Sequence, residues 1–395
     1  MQKIFIGIII GTVIGILLGA SVVAPRLTQQ AETKSKSNAE IATNEALPPV
    51  ETETLSSKPV IAEQAVTPRS DYTGGRIQWK MASAFESSLP LFGSLPKRLE
   101  SEIAILSGGD ILIEFHEPGT LAPVEELFQA VHSGAIDAAF TTPFMDIKHN
   151  NSLGLFGAIP FGPGPAELLA WFYSGGGLQK FEAIYHGLGM HAQACGLVPE
   201  EPAGWFHQEI SSPADFNGLR MRIEGFAART VEKLGTKPVQ MNANETFIAL
   251  SNGDINAAEF SLPSLDYNIQ LHKAAQHYYF PGWHQRATLL TLLVNLDTWL
   301  SLDDQQRLQI RTICGDNIRQ GLAEGEAVQF DALKAFSSHG TEIKHLPPDV
   351  LDALNDAWNE VVLEESAQNK EFRRIWKSLS LFRRNYEIWT ELNDM

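Results

Sequence analysis

The sequence predicts an α/β fold built as two lobes, and three observations carry that expectation. Short apolar-alternating runs give way to helical spacing and back again, the grammar of a largely parallel sheet with helices on its faces. The same order of elements recurs about 120 residues further on, as expected of an internal repeat. Finally, Gly134–Phe140 (GAIDAAF) is echoed by Gly253–Glu259 (GDINAAE).

In chain order, Ile4–Ala24 carries no charge, and roughly 20 apolar residues suffice to span a bilayer as a helix. Lys3 precedes the run, which predicts the remainder outside the membrane. A cleaved signal peptide is the competing reading, but its apolar core is usually only about 7–15 residues. Leu27 to about Gly75 is rich in Thr, Ser, Ala, Glu, Gln and Pro and lacks any sustained period, so it reads as a flexible linker. The ordered head begins near Ile77. IQWKMAS is a predicted strand, followed by a helix carrying Leu95, Leu99, Ile103 and Leu106 and closed by Gly108-Gly109. ILIEF is the next strand. A helix with Val124, Leu127, Phe128 and Val131 on one face follows, capped by Gly134, and AIDAAF is a third strand. In the second round, NGLRMRI is a strand after an Asn217-Gly218 turn, and a helix covers about Phe226 to Leu234. Asn244 is the expected cap of a helix with Phe247, Ile248 and Leu250; Gly253 ends it, and DINAAEF is a strand. The remainder reads as mostly helical, over Ser301 to about His339, Pro348 to about Gln368, and a last stretch through Trp376, Phe382, Tyr386 and Trp389.

Composition excludes some functions. The formal net charge is −17, which argues against nucleic acid, whose binding depends on Lys and Arg neutralising phosphates. Capture of an anion would therefore rest on a few local positive groups in a cleft. Cys195 and Cys314 are the only cysteines. Two separate buried thiols are the plainer expectation, with a bridge open to them in an oxidising compartment. Walker-type, GxGxxG, GxSxG and HExxH motifs are absent, and no acid, base and nucleophile suggest themselves together, so the chain is not expected to be an enzyme. His272, His277 and His284 are spaced so that neither consecutive pair shares a helical face, and they read as surface or hydrogen-bonded imidazoles.

The arginines are more informative. In Leu219–Glu224 the strand period places Arg220, Arg222 and Glu224 on one face. An arginine at the carboxyl end of a parallel strand lies where open α/β sheets bind ligands, and its planar fork suits a carboxylate. A surface ion pair between Arg220 and Glu224 is the competing reading. Glu259 and Glu201 could reach a cleft or could be solvated carboxylates.

The motifs WKMASAF, SGGDI, EPG, SGAIDAAF, AWFYSGGG, GWF, GLRMR, NAAEF, HYYFPGWH and CGDNI, in that order over about Ile77 to Leu392, give a further lead. Their set resembles the substrate-binding proteins of tripartite ATP-independent periplasmic (TRAP) transporters, and is most similar to the branch binding 2-oxo and 2-hydroxy monocarboxylates. The resemblance implies a bilobal periplasmic-binding-protein-like fold with crossover strands and a long connecting helix. With the apolar stretch and the linker read above, the chain divides into an anchor or uncleaved signal over 1–26, a linker over 27–76, and a head over 77–395. One lobe would comprise 77–198 and 261–295, the other 199–260 and 296–345, with terminal helices over 346–395.

By the same resemblance, Arg222 takes the ligand carboxylate. Glu201, Glu259 and Phe260 occupy the positions that hold a metal ion in that branch, with Glu201 replacing Gln and Phe260 replacing Trp. Ca²⁺ or Na⁺ would bridge to the substrate there, or Glu201 would instead accept a ligand hydroxyl. Phe85, Thr142, Phe260 and Trp283 would line the pocket. The resemblance implies a small carboxylate and the TRAP permease subunits as partners; the apolar N-terminal stretch adds the membrane, the C-terminal helices offer a face for a second copy, and the net charge leaves no place for nucleic acid. The implied location is the periplasm, with the N-terminal helix anchored in the inner membrane. A C4-dicarboxylate receptor, with Arg220 or Arg229 as second cation, is the alternative within the class; a tethered sensory protein is the alternative outside it.

Overall fold

The computed structural model describes residues 76–392. The apolar stretch Ile4–Ala24 and the linker expected over 27–76, Arg76 excepted, lie outside the described residues.

The first sheet starts with β1 (Ile77–Ser83), whose alternation puts Trp79, Met81 and Ser83 in the interior. Helix α1 (Ser94–Leu106) buries Leu95, Leu99 and Ile103 against it, while Leu106 is exposed. Strand β2 (Ile111–His116) pairs parallel to β1. Helix α2 (Leu127–His132) buries Leu127, Phe128 and Val131. It ends where Gly134 takes a positive φ of 75°, the left-handed turn that glycine makes at no steric cost. Strand β3 (Ala138–Thr141) follows, then α3 (Pro165–Ser174), α4 (Gly177–Gly187) and β4 (Met190–Val198).

The chain then enters a second sheet. Its elements are β5 (Gly204–Phe206), β6 (Arg220–Arg222), α5 (Gly225–Lys233), β7 (Lys237–Val239), α6 (Ala243–Asn252), β8 (Ala257–Ala258), α7 (Pro263–Asn268) and β9 (His277–Phe280). It returns to the first sheet through β10 (Thr288–Asn295), α8 (Leu296–Ser301) and α9 (Asp304–Ala327). Helix α10 (Gln329–Ser338) and β11 (Glu342–His345) rejoin the second, and α11 (Pro348–Gln368) and α12 (Lys370–Glu391) close the chain. The strand orders are β2-β1-β3-β10-β4 and β11-β9-β5-β8-β6-β7. In each, one antiparallel strand from across the lobe boundary, β10 or β5, is paired beside the third parallel strand.

Some expectations change. Strand β9 pairs with β5 and β11, so 277–280 belong to the second lobe and the return to the first begins only at Thr288. Helix α9 packs on β4 and α1, placing 304–327 in the first lobe. Both shifts follow from apolar faces that only tertiary packing assigns to a sheet. Asn244 lies inside α6. Asn242 caps it, because Glu245 three residues on returns the bond: the Glu245 amide donates to Asn242 Oδ1 and the Asn242 amide to Glu245 Oε2, each at 3.0 Å. Cys195 of β4 and Cys314 of α9 form a disulfide, in place of two separate thiols. Helix α11 packs on α5 of the second lobe while α12 packs on α3 and α4 of the first, so the terminal helices touch both.

Candidate functional site

The carboxyl ends of β6 and β8 point at the gap between the lobes, where the chain also crosses at 199–203 and 281–287. A cavity of about 1160 Å³ opens there. Phe85, Thr142, Glu201, Arg222, Glu259 and Phe260 all line it. Trp283 does not: it is buried in the core of the second lobe, its ring 5.9 Å from that of Phe161.

Strand pairing explains how Arg222 and Glu259 meet. Met221 sits opposite Ala257 and Arg222 opposite Ala258, and the Glu259 amide donates to the Arg222 carbonyl at 2.9 Å. Arg222 Nη1 donates to the Glu259 backbone carbonyl at 2.7 Å and to its Oε2 at 3.1 Å. Nη2 reaches Glu224 Oε1 at 3.0 Å, and the guanidinium lies 5.3 Å from the Phe260 ring centre. Arg220 is exposed on the same strand.

Two glycines allow the other segments to approach. A Cβ on Gly204 would lie 2.6 Å from the Ala258 carbonyl oxygen, and one on Gly282 would lie 1.6 Å from the Glu201 carbonyl oxygen. Only bare backbone fits at either place. As a result Glu201, Glu259 and His284, from three separate segments, come together in the interior. His284 Nε2 stands 3.3 Å from Glu259 Oε1 and 3.5 Å from Glu201 Oε2. These are charge contacts rather than aligned hydrogen bonds, and neither ring nitrogen has a hydrogen-bond partner. The other oxygen of Glu201 accepts from Ser261 Oγ at 2.9 Å. Ser261 is itself oriented by Asp266 Oδ1, which accepts its amide; Asp266 Oδ2 accepts from Trp205 Nε1 and Tyr278 OH at 2.8 and 2.9 Å.

The electrostatics follow from burial and proximity. Burial, reinforced by the Glu259 charge, raises Glu201 above the usual carboxylate range despite His284 and Ser261. Burial also acts to raise Glu259, but His284 and Arg222 outweigh it and hold that carboxyl below its ordinary value. Burial would lower His284; the two carboxylates overcome this and lift the imidazole to about 9. Burial pushes Asp266 well up. On the opposite wall, Asp146 is raised to about 7, chiefly by burial, although Tyr185 donates to it at 2.8 Å and Lys148 is near.

The profile of the bacterial extracellular solute-binding protein family 7 matches residues 81–369. The chain belongs to that family. Solved TRAP solute-binding proteins share its two-lobed fold. One is a TRAP solute-binding protein of Bordetella bronchiseptica, with calcium and picolinate in its site. It is 29% identical, with a TM-score of 0.77, over 81% of this chain and 95% of that one. Another is a TRAP periplasmic solute-binding protein of Pseudoalteromonas atlantica with bound sodium and pyruvate. It is 28% identical, with a TM-score of 0.75, over 80% of this chain and 97% of that one. The monocarboxylate 2-oxoacid-binding periplasmic protein of Nostoc is 27% identical over 81% of this chain and 87% of its own length. This family-7 receptor is therefore a TRAP-type solute-binding protein of the periplasm. Among its described residues no helix is long and apolar enough to cross a membrane.

His284, expected from its spacing to be a surface or hydrogen-bonded imidazole, is instead buried against Glu201 and Glu259 with no hydrogen-bond partner on either nitrogen, and no periodicity marks Ser261 or Asp266. The glycine of PGWH was the one local sign that this segment is pressed against another.

Proposed function

We propose that this receptor captures a small 2-oxo or 2-hydroxy monocarboxylate between its lobes and delivers it to a TRAP permease. The observation that carries the reading is Arg222. Its guanidinium is fixed by the Glu259 carbonyl at the mouth of two parallel strands and faces the cavity. Glu224, which is partly exposed and holds only Nη2, can swing aside for an incoming carboxylate. That exchange leaves Nη1 anchored on Glu259 and Nε on the Met241 carbonyl at 3.5 Å, and frees the Nη2 N–H groups for the carboxylate. Closure of the lobes would exclude water and strengthen the contact in the lower local dielectric. Phe260 supplies an aromatic wall beneath the guanidinium, Phe85 an apolar wall across the cleft, and Thr142 a hydroxyl at its edge. Arg220 and Arg229 are not in the wall, and Arg229 is held by Glu364 and Glu365, so a C4-dicarboxylate would lack the second cation assigned to it from sequence.

A cation between Glu201 and Glu259 would neutralise the paired carboxylates and take an oxygen of the solute; the two solved relatives hold calcium with picolinate and sodium with pyruvate. The donor set supports this: Glu201 and Glu259 are both buried, and one oxygen of each lies within 4.8 Å of the other. Phe260 could add only its backbone carbonyl. Tethering through Ile4–Ala24 and pairing of two copies through the C-terminal helices complete the proposal. If the tether is right, the protein stays with membranes when cells are broken; release by osmotic shock would overturn it.

The deciding experiment is a thermal-shift screen of organic acids. Pyruvate and other 2-oxo or 2-hydroxy monocarboxylates should raise the melting point by mass action, succinate and malate much less. A larger shift with the dicarboxylates would reverse the assignment.

A further inference from the structure

The two solved relatives hold calcium or sodium, ions that favour oxygen ligands. In this chain the group at the same cleft includes an imidazole. His284 is 3% exposed, and both its ring nitrogens lack hydrogen-bond partners. A buried polar group left without a partner needs an explanation, and a bound ion is one. Nε2 faces one oxygen of each glutamate, at 3.3 and 3.5 Å, and the three donor atoms lie within 4.8 Å of one another. Donors about 2.0–2.2 Å from a shared divalent ion stand roughly 2.8–3.6 Å apart at octahedral or tetrahedral angles. Little movement is needed to admit one.

Each carboxylate is also pre-set for the task by its other oxygen. Ser261 holds Oε1 of Glu201 and Arg222 holds Oε2 of Glu259, leaving the inward-facing oxygens free of hydrogen bonds to protein. Such outer partners fix the orientation of metal-binding groups. The backbone is equally committed, because Gly282 brings Glu201 against the segment that carries His284.

We propose that His284 is a metal ligand beside Glu201 and Glu259, and that this set of two carboxylates and one imidazole selects a transition divalent cation over Ca²⁺ and Na⁺. The reasoning is chemical. Ca²⁺ takes six to eight oxygens and Na⁺ is likewise an oxygen-seeking ion, whereas imidazole favours ions of the Fe²⁺ to Zn²⁺ series, with affinity rising from Mn²⁺ towards Cu²⁺. A cation held by these three groups keeps open positions on the cavity side, where a 2-oxo acid could add two oxygens. The inference thus rests on the cleft being the solute site.

The test uses the full-length protein, stripped by a chelator and titrated by calorimetry with CoCl₂, CaCl₂ or NaCl without any organic acid. One Co²⁺ per chain should bind at least about tenfold more tightly than Ca²⁺. His284→Gln should weaken Co²⁺ about 100-fold or more and Ca²⁺ less than about threefold, since an amide oxygen suits Ca²⁺. Melting curves establish that the variant is folded. If it is not, Glu201→Gln keeps the imidazole and should cost Co²⁺ about tenfold, and pulsed EPR of the Cu²⁺-loaded wild type should show one metal-bound imidazole. Tighter Ca²⁺ or Na⁺ than Co²⁺, unchanged Co²⁺ affinity in His284→Gln, or no bound ion would each overturn the proposal. Pyruvate is then added to each form. Stabilisation with Ca²⁺ but not Co²⁺ would defeat the metal inference and leave the receptor reading standing. Co²⁺ bound as described, with no organic acid stabilising the protein, would do the reverse.

Discussion

The two lobes share a frame and differ at its tip. In the first, Met81 sits opposite Ala138 and Ala82 opposite Ala139; in the second, Met221 sits opposite Ala257 and Arg222 opposite Ala258. Even a side-chain bond recurs. The Lys80 amide donates to Asp137 Oδ2 at 2.8 Å, and the Arg220 amide to Asn256 Oδ1 at 3.0 Å. Yet where the first lobe ends in Ala82 and Phe140, both buried, the second ends in Arg222 and Glu259. One framework thus ends in buried apolar side chains in one lobe and in a charged, hydrogen-bonded pair facing the cavity in the other. Under the proposed function, recognition of charge falls to the second lobe and the first provides cover.

The comparison is broken most directly at Arg222. Arg222→Ala should cost about 2–5 kcal/mol of solute affinity, because the carboxylate and Glu259 both lose a buried charged partner. Arg220→Ala, at an exposed site, should change it little. Calorimetry checks both, and equal losses would mean that position on the strand does not decide the role.

A second contrast lies in cross-linking, since the disulfide ties β4 to α9 within the first lobe. Replacing both cysteines by serine should lower unfolding free energy by roughly 2–4 kcal/mol, measured in urea, with solute affinity retained. An equal loss of affinity would show that the bridge also shapes the cleft.

A third concerns Asp146, the titrating carboxyl on the wall opposite Arg222. Its folded value, about 7, lies above that of an unfolded aspartate, so the folded state holds the extra proton. Its contribution is complete below about pH 4 and is lost as pH rises to about 7, with a slope of at most about 1.4 kcal/mol per pH unit. Asp146→Asn should flatten the stability profile over that range. The smallest expected effect is that of Phe85→Ala, about 1 kcal/mol of affinity from lost apolar contact across the cleft.

Local periodicity made much of this legible. Two-residue alternation was enough to put Arg222 and Glu224 on one face, and the repeated Ala-Ala strands announced the paired lobes. The same reasoning erred where a bond needed a partner further along, as when Asn242 rather than Asn244 capped α6 because of Glu245. It failed altogether at His284, weighed against His272 and His277 by spacing. The groups it meets, Glu201 and Glu259, lie far off in sequence, and no helical or strand period links them. Likewise the faces of β9 and α9 are apolar enough for either lobe, and only packing decided between them.

Gly282 has a bearing on how such a protein can change over generations. With no room for even one methyl group beside the Glu201 carbonyl, a library selected for growth on the transported solute should tolerate almost nothing at this position. It would rank with Arg222, although it offers the solute no side chain. A map of tolerated substitutions would therefore mark as indispensable a residue whose whole contribution is the space it leaves.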